Sequence, residues 1–320
     1  MVDGGAAPFR ITPMIVRLQG VTKRFGDRTA VADLDLTIPA GSCFGLLGPN
    51  GAGKTTTLRM IYGATQPTSG RVEVFGLDVG REPRAVRARL GVTLQDNVLI
   101  EALDPIDNLR IFGRYHLLRE PELSARVETL VDFLELRSHA RVPVRALSGG
   151  FQRRLAIAMS LMNDPELLIL DEPTTGLDPA VRLALWSKIR DRRAAGTTVV
   201  LTTHYMDEAQ RLCDRVAVMA GGKILADGAP DALIAEHLSP QAIELDCAVE
   251  AERALASHLP PRTRTMHAGG RLVVYADDAA SLIGMLDAAG IDNGRRRTIR
   301  PTNLEDLFLH LTGASLEGGA

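Results

Sequence analysis

Lysine is scarce in this 320-residue chain: of 37 basic residues only four are lysine (Lys23, Lys54, Lys188 and Lys223), and the rest are arginine. Net charge is nearly absent as well, at −2. Domains that hold a polyanion by bulk charge are usually strongly basic, so no nucleic-acid partner is expected. Long apolar runs are missing. None approaches the roughly 18 residues that a membrane-spanning helix needs. Met1–Pro13 has no basic start followed by an apolar core, so it reads as a small flexible tail (1–13) and not a secretory signal, with Met14 a second candidate start. Cysteines number only three, Cys43, Cys213 and Cys247, far apart and without a CxxC. That argues against a disulfide framework or a zinc site, fits a reducing cytoplasm, and leaves three half-buried free thiols.

What is present is ordinary for a globular protein, with 45% hydrophobic and 24% charged residues. The length allows one large domain and a smaller one. Short apolar runs at Met14–Gln19, Ala30–Ile38, Cys43–Leu47, Arg71–Phe75 and Gly91–Leu94, separated by turn residues, predict strands. From Pro105 to Met162 the pattern turns helical, with Leu123, Val127, Leu130, Val131 and Leu134 on one face. Leu167–Leu170 and Thr198–Leu201 are continuous apolar runs of the kind buried in a parallel sheet, and Pro179–Ala195 between them suits the crossover helix. The main body is therefore α/β with a helical insertion. After a break at Ala235-Glu236-His237, the tail reads strand (Ala242–Cys247), helix (Glu250–His258), strands (Arg264–His267 and Leu272–Tyr275), helix (Ala279–Ala289), strand (Arg296–Arg300) and helix (Asn303–Leu311). The first six follow the β-α-β-β-α-β order of a ferredoxin-like unit. Thr302 and Glu305 are spaced as a capping box for the last helix.

The chemistry concentrates in Gly48-Pro49-Asn50-Gly51-Ala52-Gly53-Lys54-Thr55, which matches G-x-x-x-x-G-K-[ST]. Glycines let the backbone turn tightly and aim its N–H groups at phosphate oxygens. The loop follows a strand and opens a helix, whose N-terminus adds partial positive charge. Lys54 then reaches the β- and γ-phosphates, and the Thr55 hydroxyl is placed to bind Mg²⁺. The loop alone fits kinases, GTPases, motors and transporter ATPases. A GTPase would carry Asn-Lys-x-Asp, and no asparagine here precedes lysine. Leu167–Leu170 ends in Asp171-Glu172-Pro173. An acid ending the buried strand beside the phosphate loop suits Mg²⁺, a role for Asp171. Glu172, one residue on, points differently and is the candidate general base for the attacking water. Ser148-Gly149-Gly150, before a helix, forms a second anion site from a hydroxyl and exposed N–H groups.

With Leu147-Ser148-Gly149-Gly150-Phe151-Gln152-Arg153-Arg154 the chain resembles the ATP-binding cassette (ABC) family over about residues 14–237. The spellings Leu201-Thr202-Thr203-His204-Tyr205-Met206-Asp207-Glu208-Ala209 and Pro301–Leu309 are similar to drug-resistance and nodulation-factor exporter ATPases. The resemblance implies a P-loop NTPase (RecA-like) core at 14–237 with a helical subdomain at about 97–160; the C-terminal domain at 241–320 is expected to regulate or stabilise a dimer, or else to be a passive appendage. It implies ATP and Mg²⁺ as ligands. By the same resemblance Gln95 touches Mg²⁺ and couples to a membrane partner, and His204 contacts the γ-phosphate. Thr175-Gly176-Leu177-Asp178 joins the two sites, Phe25 stacks on adenine, and Thr56 lies near the α-phosphate. Ser148-Gly149-Gly150 closes over the ATP of a facing subunit, so a twofold dimer follows. A separate integral membrane permease, docking near Gln95–Tyr115, makes the chain a cytoplasmic subunit peripheral to the inner face of the membrane. Export of a hydrophobic drug, lipid or glycolipid-like substrate is the expected work. The rival is a soluble cassette acting on ribosomes or DNA, although only one cassette is present and no long coiled coil fits between Thr55 and Ser148. Phe151 departs from the family, which more often has Gln or Met there. Either backbone and Ser148 suffice and activity survives, or the composite site is weakened.

Overall fold

A computed structural model describes residues 13–245, 259–260, 263–268, 271–288 and 297–313. Residues 1–12 of the tail, Cys247 and the helix expected over Glu250–His258 lie outside the described residues. Three sheets organise the rest. β1 (Met14–Phe25), β2 (Arg28–Pro39), β4 (Ser69–Val74) and β5 (Leu77–Asp78) form an antiparallel sheet in the order β2-β1-β4-β5. Leu34, Leu36 and Ile38 alternate inward along β2, the period of a half-buried strand. β3 (Cys43–Leu47), β6 (Leu90–Thr93), β7 (Leu167–Asp171), β8 (Thr198–Thr203), β9 (Arg215–Ala220) and β10 (Lys223–Gly228) form the second sheet, in the order β10-β9-β3-β8-β7-β6. All its pairings are parallel except β10 with β9.

Every residue of β3, β7 and β8 is buried, which fits their largely apolar sequences; β7 ends in Asp171 and β8 in Thr202-Thr203. One expectation needs correcting. β8 lies between β3 and β7, so the acidic strand is not beside the phosphate-loop strand. Both strands pair with β8, which brings their ends to the same edge of the sheet.

α1 (Lys54–Ile61) follows β3, and α2 (Pro83–Ala88) precedes β6. The helical segment comprises α3 (Pro105–Tyr115), α4 (Glu122–Phe133) and α5 (Gly149–Ser160). Leu123, Val127, Leu130 and Val131 of α4 are buried, as their spacing requires. α6 (Pro179–Ala194) crosses from β7 to β8, and α7 (Met206–Leu212) and α8 (Pro230–His237) follow. Among the described residues no helix is long and apolar enough to cross a membrane.

The third sheet holds β11 (Gln241–Leu245), β12 (Thr265–Ala268), β13 (Arg271–Ala276) and β14 (Arg297–Pro301), with α9 (Ala279–Ala288) and α10 (Leu304–Thr312). Its order is β12-β13-β11-β14, all antiparallel, which is the ferredoxin-like arrangement. The cap of α10 sits one residue later than its spacing suggested. Asn303 is the N-cap and Asp306 closes the capping box. Asp306 is held there by Arg300 and by the Tyr275 hydroxyl, while the Thr302 hydroxyl donates to the Ser239 carbonyl at 2.6 Å. Leu304, Leu307 and Phe308 of α10 pack into the same core as Leu212 of α7 and Leu233 and Ile234 of α8. A smaller core of Ile243, Leu245, Leu272, Val274, Leu282 and Leu286 lies within the third sheet and α9. Cys43 and Cys213 are fully buried and adjacent, not scattered half-buried thiols, with their sulfurs 4.0 Å apart.

Candidate nucleotide site

Gly48–Thr55 spans from β3 into α1. Gly53 caps α1 with φ +106° and offers no side chain to the first-turn amides, which stay available to an anion. A Cβ on Gly53 would come within 2.6 Å of the Ala30 carbonyl, and one on Gly48 within 2.4 Å of the Met219 carbonyl. Both positions therefore demand glycine. A cavity of about 320 Å³ lies over this loop, reached by Asn50, Gly51, Ala52, Gly53, Lys54, Thr55 and Thr56. Phe25, Arg28 and Ala30 of the β1–β2 hairpin line it too, as do Gln95 and Glu172 just past the ends of β6 and β7.

Lys54 is buried, and its Nζ donates to the Gly48 carbonyl at 2.7 Å and to the Pro49 carbonyl at 3.2 Å. Burial lowers its pKa, while the charges of Glu172 and Asp171 push it back up. Asp171 is buried at the end of β7. Its Oδ1 accepts from the Thr202 hydroxyl of β8 and faces the Thr55 hydroxyl at 3.4 Å. Thr55 and Asp171 thus bring a neutral and an anionic oxygen together, a donor set that fits a hard divalent cation completed by phosphate and water. Among the described residues no group of three or more His, Cys, Asp or Glu is placed to hold a metal unaided.

Glu172 takes φ +47°, unusual for a residue with a side chain. Its N–H donates to the Thr202 carbonyl at 3.1 Å and hydroxyl at 3.0 Å. Its Oε2 accepts from the Thr175 hydroxyl at 3.1 Å and lies 3.2 Å from His204 Nδ1. A carboxylate held this way, at the rim of the cavity, can accept a proton from a water placed there.

The remaining sequence candidates sit elsewhere. Ser148, Gly149 and Gly150 open α5 and do not line the cavity. The Ser148 hydroxyl accepts from the Phe151 N–H at 3.5 Å. Asp178 is the N-cap of α6, accepting from the Val181 N–H at 3.0 Å. Phe151 packs 4.1 Å, centroid to centroid, from the His139 ring, and the Arg154 guanidinium lies 4.2 Å from its ring centroid. Its ring therefore packs with the helical segment and against the core.

Sequence reasoning missed Arg28 and Thr202, and gave Thr175 only as part of the loop joining the two sites, not as a partner of Glu172. Arg28 was legible in principle: Gly26-Asp27 is a two-residue hairpin loop, which places Phe25 directly opposite Arg28. Thr202 carried no such signal, because its partner Asp171 belongs to a neighbouring strand.

Comparison with known proteins follows the same lines. Residues 31–175 match the family described as "ABC transporter", and residues 250–313 match "Nodulation factor export protein NodI, C-terminal domain". The Nod factor export ATP-binding protein I of Cupriavidus metallidurans is 43% identical over 302 residues, covering 94% of this chain and 98% of that protein. Its counterpart in Rhizobium johnstonii is 43% identical over 309 residues, covering 96% and 97%. Among solved structures, the ATP-binding cassette MJ0796, in a dimeric post-hydrolysis state bound to ADP and Pi, superimposes with a TM-score of 0.62 at 27% identity, covering 67% of this chain and 98% of that one. The P-loop fold, the geometry around Lys54 and Glu172, and these matches converge: the chain belongs to the ABC transporter family, as a subunit that binds and hydrolyses ATP.

Proposed function

We propose that two copies of the chain enclose two Mg-ATP molecules, each held between the Gly48–Thr55 loop of one copy and Ser148-Gly149-Gly150 of the other. The observation that carries this is the separation within one copy: Ser148, Gly149 and Gly150 do not line the cavity that the same copy's phosphate loop lines. A dimeric arrangement of the similar cassette MJ0796 supports it. Phe25 stacks on the adenine, the Gly48–Gly53 loop offers the phosphates the N–H groups of every residue but Pro49, which has none and shapes the turn, Thr56 adds its hydroxyl, and Lys54 leaves its carbonyl partners for the β- and γ-phosphates. Thr55, Asp171 and Gln95 would hold Mg²⁺, which would supply charge neutralisation to the phosphates. Glu172 accepts the proton of the attacking water, His204 orients Glu172 and meets the γ-phosphate, and Asp178 steadies the loop between the two sites.

The work driven by this cycle is export of an amphiphilic, lipid- or glycolipid-like substrate through a separate membrane permease, at the inner face of the membrane. The relatives named for Nod factor export support that reading. The exposed apolar residues Val98, Ile100, Tyr115 and Leu117, close in sequence to Gln95, suit such a docking face. Residues 14–237 act as the cassette, and the unit at 241–320 stabilises or regulates the dimer. The test is ATPase activity of the purified chain with and without a co-expressed polytopic membrane partner in liposomes. Stimulation by the partner, together with co-purification, supports transport. Ribosome association with no response to any membrane partner would overturn it.

A further inference from the structure

α5 begins at the Ser148 loop and carries Arg153 one turn further in. Arg153 is only 4% exposed, rare for a charged side chain. Its guanidinium is satisfied by main-chain carbonyls and one side-chain amide. Nε donates to the Pro173 carbonyl at 2.9 Å, and Nη2 to the Asp171 and Glu172 carbonyls at 2.7 and 3.0 Å. Nη1 donates to the Leu94 carbonyl at 2.6 Å, the Gln95 carbonyl at 3.2 Å and Asn97 Oδ1 at 3.0 Å. One side chain from the Ser148 helix thus clamps the two segments that carry Glu172 and Gln95. Only a planar, fork-shaped cation reaches acceptors on both sides at once; a lysine ammonium does not.

The clamp falls where the backbone most needs one. Glu172 occupies the left-handed region at φ +47°, a conformation that a side-chain-bearing residue keeps only when its surroundings over-determine it. Thr202 fixes its N–H from one side, and Arg153 fixes the carbonyls of residues 171, 172 and 173 from the other. Those bonds set the direction in which the Glu172 carboxylate leaves the chain. Burial draws the Arg153 pKa down, and the charges of Asp171, Glu208 and Glu172 draw it up.

We propose that Arg153 is a positioning residue that ties the Ser148 end of α5 to Glu172 and Gln95, so that nucleotide held on one copy's Ser148 loop sets the hydrolytic geometry of that copy's own site. The inference rests on the dimer reading above, with Glu172 as the base. It makes Arg153 the element that renders the two sites interdependent, without touching either nucleotide.

The experiment compares the full-length parent, Arg153→Met, Arg153→Lys and Glu172→Gln for ATP turnover, KM for ATP, Hill coefficient, ATP binding and melting temperature. Misplacing a catalytic group by about 1 Å costs about 100-fold in rate, so Arg153→Met is expected to lose about that much kcat. Its KM and ATP binding stay within about threefold of the parent and its Hill coefficient falls toward one, while Arg153→Lys recovers part of the rate. Parent-like kcat and Hill coefficient in Arg153→Met overturn the proposal. So does a rate loss matched in both variants by equal losses of ATP binding and melting temperature, which marks a merely structural role. Where Arg153→Met does not fold, Arg153→Lys decides: reduced kcat with parent-like ATP binding supports the clamp, and parent-like kcat overturns it. Glu172→Gln separates the two levels. Inactive Glu172→Gln with normal Arg153→Met sinks only the clamp, whereas normal turnover in Glu172→Gln sinks the base assignment beneath it.

Discussion

Two glycine-rich loops open helices in this molecule, and they are built on opposite plans. In the phosphate loop Gly48, Gly51 and Gly53 all take positive φ, and added Cβ atoms at Gly48 and Gly53 would strike backbone. Gly149 and Gly150 do not have positive φ, and a Cβ at Gly149 would meet nothing within 4 Å. The first loop is a finished cradle with its lysine already inside. The second is one open wall, capped by its own serine. The difference teaches that glycine serves shape in one loop and access in the other: at Gly149 it keeps a surface low so that something external can approach.

The strongest test of that contrast is Glu172→Gln. Loss of a general base costs about 10²–10⁴-fold in rate, and the variant should still bind ATP and accumulate as a dimer by size-exclusion chromatography. A trapped dimer joins the closed loop to the open one, whereas a monomer with bound ATP would break the comparison. Lys54→Ala comes next. Hydrogen bonds to charged groups are worth about 1.5–3 kcal/mol, so calorimetry should record roughly ten- to hundredfold weaker ATP binding. Ser148→Ala should leave ATP binding by the single copy unchanged and lower turnover by about tenfold, the scale of one lost hydrogen bond to a charged group. Gly53→Ala should destabilise the fold by about 1–3 kcal/mol, and Gly149→Ala by less than about 0.5 kcal/mol, as read from thermal melts. If both glycines prove equally costly, the distinction between shape and access fails. Phe151→Gln is the mildest. It gives up ring packing worth about 0.5–1.5 kcal/mol and should leave turnover within a few-fold of the parent.

The two loops also differ in how far sequence alone reveals them. The phosphate loop is legible because its working parts are consecutive residues, each of a type that backbone geometry or charge demands. The buried runs of β3, β7 and β8 were legible for the same local reason. What a linear reading missed is lateral. β8 slips between β3 and β7, which puts Thr202 against Asp171. Arg153 finds its acceptors 18 to 59 residues away, and every one but Asn97 is a main-chain carbonyl that any sequence would supply. Cys43 and Cys213 meet across 170 residues without any motif. The cap of α10 was misread by one position because Asp306 answers to Arg300 and Tyr275 as well as to its own helix.

The packing of α10 reaches beyond architecture into the order of synthesis. Leu304 donates its N–H to Gln210 across 94 residues, and its helix fills the core shared by α7 and α8. Domains form as units while the chain emerges from its N-terminus. On that order, residues 14–237 are made before α10, and the apolar face that Leu304, Leu307 and Phe308 cover stays bare until those residues emerge. A chain cut short before Leu304 keeps every residue of the nucleotide site and still lacks its lid of leucine and phenylalanine. Such a product should be recognised by chaperones and proteases before it competes for a partner.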